Sequence, residues 1–250
     1  MEHLLPFTRL LNYLFGAPAL ALLHALGIET HGAAIPNFVA MEILVALILI
    51  AFFIAVRMSL SVERPGPLQH TVEGIYGFID NLAQEIIGHH SAKFVPYLMV
   101  LGMFILTSNL LGLIPTLETP TQVPAVPLGC ALLTWVYYHY QGMRANGVIG
   151  YLGHFIGPQE GMPMAVRILL PVLMFPIEIF SHTARVLSLT VRLYANMFAG
   201  EMVTLVFFSL VPIAIPLLFQ GLHIGVALIQ TYIFVLLACV YLGEATAHEH

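Results

Sequence analysis

The stretch 176-PIEIFSHTARVLSLTVRLYANMFAGE-201 decides how this chain is read. It lies in the more hydrophobic half of the sequence, yet it carries Glu178, His182, Arg185, Arg192, Asn196 and Glu201. A charged side chain at bilayer depth costs from about 3 to more than about 10 kcal/mol, depending on how the cost is obtained. Such groups therefore face protein or water, and they are functional candidates by default. At about 100° per residue, Glu178, Ser181, Arg185, Ser188, Arg192 and Asn196 fall within about ±40° of one line. They form a polar stripe down one helix face. Glu201, nine residues beyond Arg192, points about 180° away. A polar route on one face, a fixed cation in the middle and an acid on another face predict two half-paths with a charged divider.

Composition supplies the setting. Of 250 residues, 59% are hydrophobic and only 8% charged, against about 25% charged in soluble domains. With a mean hydropathy of +0.92, the chain reads as an integral membrane protein. The net charge of −5 is small and the eight Lys and Arg are scattered, so no nucleic-acid partner is expected. Cys130 and Cys239 sit in separate apolar segments, without paired or metal-type spacing.

The expected architecture is all-α, with about five transmembrane helices and one amphipathic surface helix. Within residues 1–36, LLNYLFGAPALALLHALG resembles a signal h-region in length, but only Arg9 precedes it and Pro18 and His24 interrupt it, so the segment reads as uncleaved and surface-lying or re-entrant. Phe38–Val56 is long and apolar enough to span. Over residues 70–88, Val72, Ile75, Ile79, Leu82 and Ile86 make one apolar line, with Glu73, Asp80 and Gln84 facing away. That pattern predicts an amphipathic helix on the membrane surface, its acidic face solvated or turned to a partner. Phe94–Leu113 and Leu128–Gln141 are two further spans, joined by IPTLETPTQVPAVP, whose four prolines end both helices. The six glycines of Gly142–Pro163 predict a loop with at most a short surface helix.

Residues 164–210 then run on in helical pattern without clustered turn residues. At 1.5 Å per residue this extends about 70 Å, more than twice a hydrocarbon core of about 30 Å. One long, strongly tilted, proline-bent helix is the expectation. Residues 213–242 form a second over-long helix, antiparallel to the first, with Pro212 and Pro216 at the turn. Arg57, Arg64 and Lys93 share one connection, and Arg144 and Arg167 flank another. The positive-inside bias makes both cytoplasmic, with the amino terminus outside and the carboxyl terminus inside.

LTVRLYANMFAGE, followed by LFQGLHIGVALIQTYIFVLLACVYLGEA, resembles subunit a of F-type ATP synthases, and SNLLGLIP resembles that family's motif at the end of an earlier span. The resemblance covers roughly Phe38 to the carboxyl terminus. It implies a proton-translocating stator subunit in a bacterial inner membrane, non-catalytic by itself and without cofactor or metal. The implied partners are the c-subunit ring, the peripheral-stalk b subunits and the bilayer, so no function is expected of the isolated monomer. Arg192 matches the family's essential arginine, and Asn196 the asparagine one turn on. Glu201 and His223 match the acid and its partner in the outer half-channel, and Gln230 the glutamine near the arginine. Glu178 matches an acid of the inner half-channel, with Ser181 and His182 expected beside it, and Arg185 stands where relatives carry a basic residue. Asn109 and Glu118 are candidates for the outer vestibule. Gly112 departs from relatives that carry Asp there.

Two other readings use the same residues. An ion-coupled secondary transporter also buries charge, but the inverted repeats common in such proteins are not evident here. A transporter would be extracted alone or as a homo-oligomer, a stator with a c ring. An intramembrane metal enzyme would use Glu178 and His182 at i,i+4, yet no third ligand follows them.

Overall fold

The computed structural model describes residues 4–25, 27, 32–61, 63–88, 91–114, 117–154, 164–210 and 214–247, the side chains of 149, 152–154, 164–169, 208–210 and 214–217 excepted. The described residues hold seven α-helices and no strand: α1 Pro6–Ala25, α2 Asn37–Ser59, α3 Pro67–Ile87, α4 Val95–Leu111, α5 Ala125–His154, α6 Met164–Leu210 and α7 Ala214–Thr246. Helix α2 and the stretches Leu170–Phe207 of α6 and Leu218–Thr246 of α7 are long and apolar enough to cross a membrane, and α4 is a shorter apolar helix. The protein is an all-α integral membrane protein.

Helix α7 is the axis of the bundle, and α3, α4, α5 and α6 all pack on it. Its buried positions include Ala227, Gln230, Phe234, Val235, Ala238, Cys239, Leu242 and Ala245. Small residues let neighbours come close, as expected where helices pack without a hydrophobic drive from water. A Cβ at Gly102 of α4 would lie 3.0 Å from Val235 Cγ2. One at Gly243 of α7 would lie 3.3 Å from the Ile86 carbonyl of α3.

Helix α6 is packed differently. Leu189, Leu193 and Met197, at i,i+4 spacing, are buried against the bundle. Outside that seam Val172, Phe180, Leu187, Val191, Phe198 and Leu205 are exposed. Only 11% of its most apolar window is buried, against 39% for α7 and 28% for α2. A long apolar face is therefore left to lipid or to another chain. Pro171 and Pro176 lie within the continuous helix.

Three expectations are set against the observed helices, and the second is corrected. First, the amphipathic helix expected over residues 70–88 is present as α3, and its apolar line packs on protein. Ile79, Leu82 and Ala83 are buried in the main core, with Val72, Ile75 and Ile86 packed against it. Pro67 opens this helix and Gly88, at φ 88°, closes it, its N–H donating to the Gln84 carbonyl. Polar side chains one turn apart bond one another, the buried Gln69 donating to Glu73 at 2.7 Å and the exposed Gln84 to Asp80 at 2.9 Å.

Second, the glycine-rich stretch after Gln141 is not a loop at its start, because α5 continues to His154. Gly147, at φ 72° and ψ 161°, is not helical and divides α5 into two helices across a kink, the second of them short, and Tyr151 returns to bond His139 at 2.6 Å. Gly142 serves close approach, since a Cβ there would run into the Tyr151 ring and lie 2.8 Å from the Ala245 carbonyl. Residues 155–163 of the expected loop, the Arg167 side chain and the Pro212 turn lie outside the described residues.

Third, much of the amino-terminal segment is the regular helix α1, docked on α2 around Leu11, Ile35, Met41 and Val45. Pro18 is accommodated inside it.

Replacing Gly142 tests the α5–α7 contact. Overpacking at a closed site costs about 1–3 kcal/mol, so Gly142→Ala is expected to lower the thermal midpoint of the detergent-solubilised protein, and Gly142→Val to lower it further. Midpoints equal to the parent's would show that the two helices separate at no cost.

Candidate functional site

The polar groups of α6 are distributed over two separate cavities and the turn between them. The first cavity, about 230 Å³, is lined by Tyr138, Tyr151, Glu178, His182, Arg185, Tyr241 and Glu244. His182 is its centre. Its Nδ1 meets the Tyr138 hydroxyl at 2.7 Å and its Nε2 lies 3.4 Å from Glu178 Oε1. Arg185 pairs with Glu244 of α7 and lies 4.8 Å from the centre of the Tyr241 ring. The cavity thus carries two carboxylates, Glu178 of α6 and Glu244 of α7, and one guanidinium, Arg185 of α6. Ser181 is half-buried on the same stripe but does not line this wall.

Arg192 follows two turns after Arg185. It is half-buried, and its Nη2 reaches the Ser188 hydroxyl at 3.4 Å. Among the described residues no carboxylate pairs with it. One turn on, Asn196 Nδ2 donates to Gln230 Oε1 at 2.8 Å. Gln230 is 2% exposed, so this is the polar tie between α6 and α7 in the middle of the bundle. The glutamine expected beside the arginine engages the asparagine.

The second cavity, about 330 Å³, is lined by Gly112, Leu113, Leu117, Thr119, Glu201, Thr204, Leu205, Gln220 and His223. It shares no residue with the first. Glu201 lies against the side-chain amide of Gln122, in the short 3₁₀ turn Pro120–Gln122, and accepts from it with the amide turned so that its nitrogen faces the carboxylate. His223 Nε2 lies 3.2 Å from the Asn109 carbonyl, which only accepts, so that nitrogen carries the proton. Glu201 and His223 therefore share a cavity, each bonded to a different neighbour. Asn109 Oδ1 also accepts from the Thr121 hydroxyl at 2.7 Å, so one buried residue joins α4, the 3₁₀ turn and α7. His223 also borders a further cavity of about 270 Å³, with Asn196, Gly200 and Val203. Gly200 makes room for the ring, since a Cβ there would lie 3.1 Å from His223 Nδ1.

The profile of the ATP synthase A chain family matches residues 38–243. The chain belongs to this family. A relative named ATP synthase subunit a, from Koribacter versatilis (strain Ellin345), is 56% identical over 252 residues, covering all of both chains. The one from Solibacter usitatus (strain Ellin6076) is 46% identical over 92% of this chain and 95% of its own. That from Geobacter sp. (strain M21) is 37% identical over 92% and 94%.

Within this A chain, the candidates read from sequence fall into three groups. Glu178, His182 and Arg185 meet at one cavity, Arg192, Asn196 and Gln230 occupy the middle, and Glu201 and His223 meet at the other cavity. Glu118 stands near Glu201, within electrostatic reach. Sequence reading missed Tyr138, Tyr151, Tyr241 and Glu244, which close the first cavity from α5 and α7, and Gln122 beside Glu201. Tyrosines in apolar spans carry no periodic signal that separates a cavity wall from a core. Glu244 was the accessible clue, as an acid at the end of an otherwise uncharged helix.

The Asn109 junction can be tested directly. Thr121 and Asn109 are both fully buried, so Thr121→Val leaves Oδ1 without its donor. The expected cost is about 1–3 kcal/mol, read as a lowered thermal midpoint that Thr121→Ser largely restores. Equal midpoints for Val and Ser would mean that the hydroxyl bond does not hold the turn.

Proposed function

We propose that this chain is the proton-conducting stator subunit of a rotary ATP synthase, with two offset half-paths meeting a c-subunit ring at Arg192. The observation that carries this reading is the Arg192 guanidinium. It lies mid-helix on the loosely packed face of α6, with no carboxylate partner among the described residues. A permanent cation at that depth needs an anion from elsewhere, and a ring of carboxylates passing the exposed face supplies one.

The amino terminus lies outside and the carboxyl terminus in the cytoplasm, so the Glu201 cavity opens outward and the Glu178 cavity inward. Protons enter past Glu201 and His223, and the cavity His223 shares with Asn196 leads toward the arginine. A ring carboxylate that gives up its proton on the inner side is stabilised as an anion by Arg192. After passing the guanidinium, it takes a proton from the outer path and returns to lipid neutral. Guanidinium is not deprotonated in proteins, so Arg192 cannot relay a proton itself. Its charge also repels a hydronium between the half-paths. The inner path runs through His182, whose two nitrogens face Tyr138 and Glu178, and leaves past Arg185 and Glu244. Gln230 and Asn196 hold α6 and α7 in register behind the arginine. The membrane potential supplies about 2.3 kcal/mol per charge per 100 mV, so several protons must be spent on each ATP without leak. Peripheral-stalk b subunits hold the stator, and the catalytic chemistry resides on other chains. A transporter reading fits less well, because alternating access needs one central site reached from both sides, whereas the two polar cavities share no wall.

In the assembled complex in vesicles, Arg192→Ala is expected to abolish both proton-driven ATP synthesis and ATP-driven pumping. Normal coupled synthesis in that variant would refute the stator reading. Glu201→Leu and His223→Leu are each expected to slow proton flux at least tenfold, an effect of about 1.4 kcal/mol or more, with the complex still assembled. Unchanged flux in both would make the pair structural.

A further inference from the structure

A cavity of about 480 Å³, larger than either polar one, opens between α5 and α6. Trp135, Val136, Tyr140 and Met143 wall it from α5, and Ile179 and Thr183 from α6. Its polar groups are engaged elsewhere. His139 bonds Tyr151 at 2.6 Å, His182 bonds Tyr138 at 2.7 Å, and Thr183 donates to the Ile179 carbonyl at 2.9 Å. What faces the space is aromatic and aliphatic carbon, and a cavity of that kind takes an apolar occupant rather than water. At about 100° per residue, Ile179 and Thr183 stand about 140° and 180° round α6 from Arg192. The cavity is therefore not on the face turned to the proposed ring.

A separate observation says what chemistry that occupant carries. Val136, Tyr140 and Arg144 follow at i,i+4 along α5, all three exposed, and so stand on one line. Arg144 lies in the last turn before the break at Gly147. Among the described residues no carboxylate pairs with it. At the other end of the line Leu132 and Leu133 are 44% and 58% exposed. The line is thus apolar over most of its length and cationic at one end. Trp135 comes nine residues before Arg144, about 14 Å along the helix axis. That is within the depth of one leaflet, half of a hydrocarbon core of about 30 Å.

We propose that the cavity between α5 and α6 holds an acyl chain of an anionic phospholipid whose phosphate pairs with Arg144. The guanidinium offers phosphate oxygens a planar, charge-assisted fork. Its stem lies along apolar surface while its head reaches the headgroups, as long cationic side chains do at this depth. A zwitterionic lipid fills the same cavity but brings its own cation to the same place, and so gains less from Arg144. The bound chain braces α6 on the side away from Arg192, on a helix of whose most apolar window only 11% is buried by protein. The inference needs only that the chain lies in a bilayer, and it stands whether or not the stator reading does.

Trp135 is the only tryptophan of the chain and lines the cavity, so its emission reports the occupant. The full chain is reconstituted in phosphatidylcholine vesicles. A rising fraction of the lipid is replaced by phosphatidylglycerol brominated mid-chain or, in parallel, by phosphatidylcholine brominated at the same carbons. Bromine in contact with the indole quenches it. Phosphatidylglycerol is expected to reach half-maximal quenching at an about fivefold lower fraction, the effect of one cation beside an anionic lipid. Arg144→Gln should abolish that preference and Arg144→Lys keep most of it. Arg57→Gln, at another exposed basic position, should leave it unchanged. Ile179→Phe, which fills the cavity, should weaken quenching by both lipids. Equal quenching by the two lipids in the parent means bulk lipid contact only, and overturns the proposal. A preference that survives Arg144→Gln, or that Arg57→Gln lowers as much, overturns it as well. No quenching by either lipid means that protein fills the cavity, with the same consequence. Should Ile179→Phe not fold, the Arg144 variants, changed at an exposed position, decide the question.

Discussion

The structure turns on one uncompensated charge. Arg185, two turns away on the same stripe, has Glu244 opposite it and a Tyr241 ring beneath it. Arg192 has a serine hydroxyl and no acid among the described residues. Two guanidiniums on one helix face thus differ in whether the described residues supply them with a carboxylate. Protein electrostatics makes the distinction large. A buried ion pair roughly offsets its own desolvation, while a single unpaired ion at depth does not.

The packing around the two helices follows from that difference. Helix α7 is clamped by four neighbours and holds Gln230 buried, so its position is fixed. Helix α6 is anchored to it by the narrow seam of Leu189, Leu193 and Met197 and by the Asn196–Gln230 bond. Much of the rest of α6, including Val172, Phe180, Leu187, Val191 and Leu205, is exposed. On the stator reading, a helix held on one edge and open on the other presents a fixed charge to a moving partner. Tighter burial would supply Arg192 with neighbours and remove its use, and looser anchoring would let it drift toward lipid headgroups, as long cationic side chains do.

The sequence carried the frame of this fold because period and length are local properties. The unbroken pattern of residues 164–210 and the polar stripe along it are visible without any tertiary information. The failures share one cause. Glycines 142, 147 and 150 look like loop residues in isolation, but Gly142 is required by the Tyr151 ring and the Ala245 carbonyl, both distant in sequence or across a kink. The apolar line of α3 is equally compatible with lipid and with a protein core, and only the presence of α4 and α7 decides between them. At the candidate site, residues supplied by α6 were legible from their spacing. Tyr138, Tyr151 and Gln122 were not, because each matters only through what the fold brings opposite it.

His223 shows how the pieces join. Its ring divides the acid-lined cavity from the one that reaches Asn196, and it lies over Gly200 with one nitrogen committed to the Asn109 carbonyl. Asn109 is fixed by Thr121, so the ring is positioned by a polar junction that includes no charged group. On the stator reading this arrangement lets the imidazole pass a proton by exchanging it at Nδ1 while Nε2 stays bonded. Imidazole is suited to that task, since its two nitrogens differ in role. The relay then needs no large movement within the stator. Motion is confined to the ring carboxylate at Arg192, which is why a rigid α7 and a half-open α6 belong to the same design.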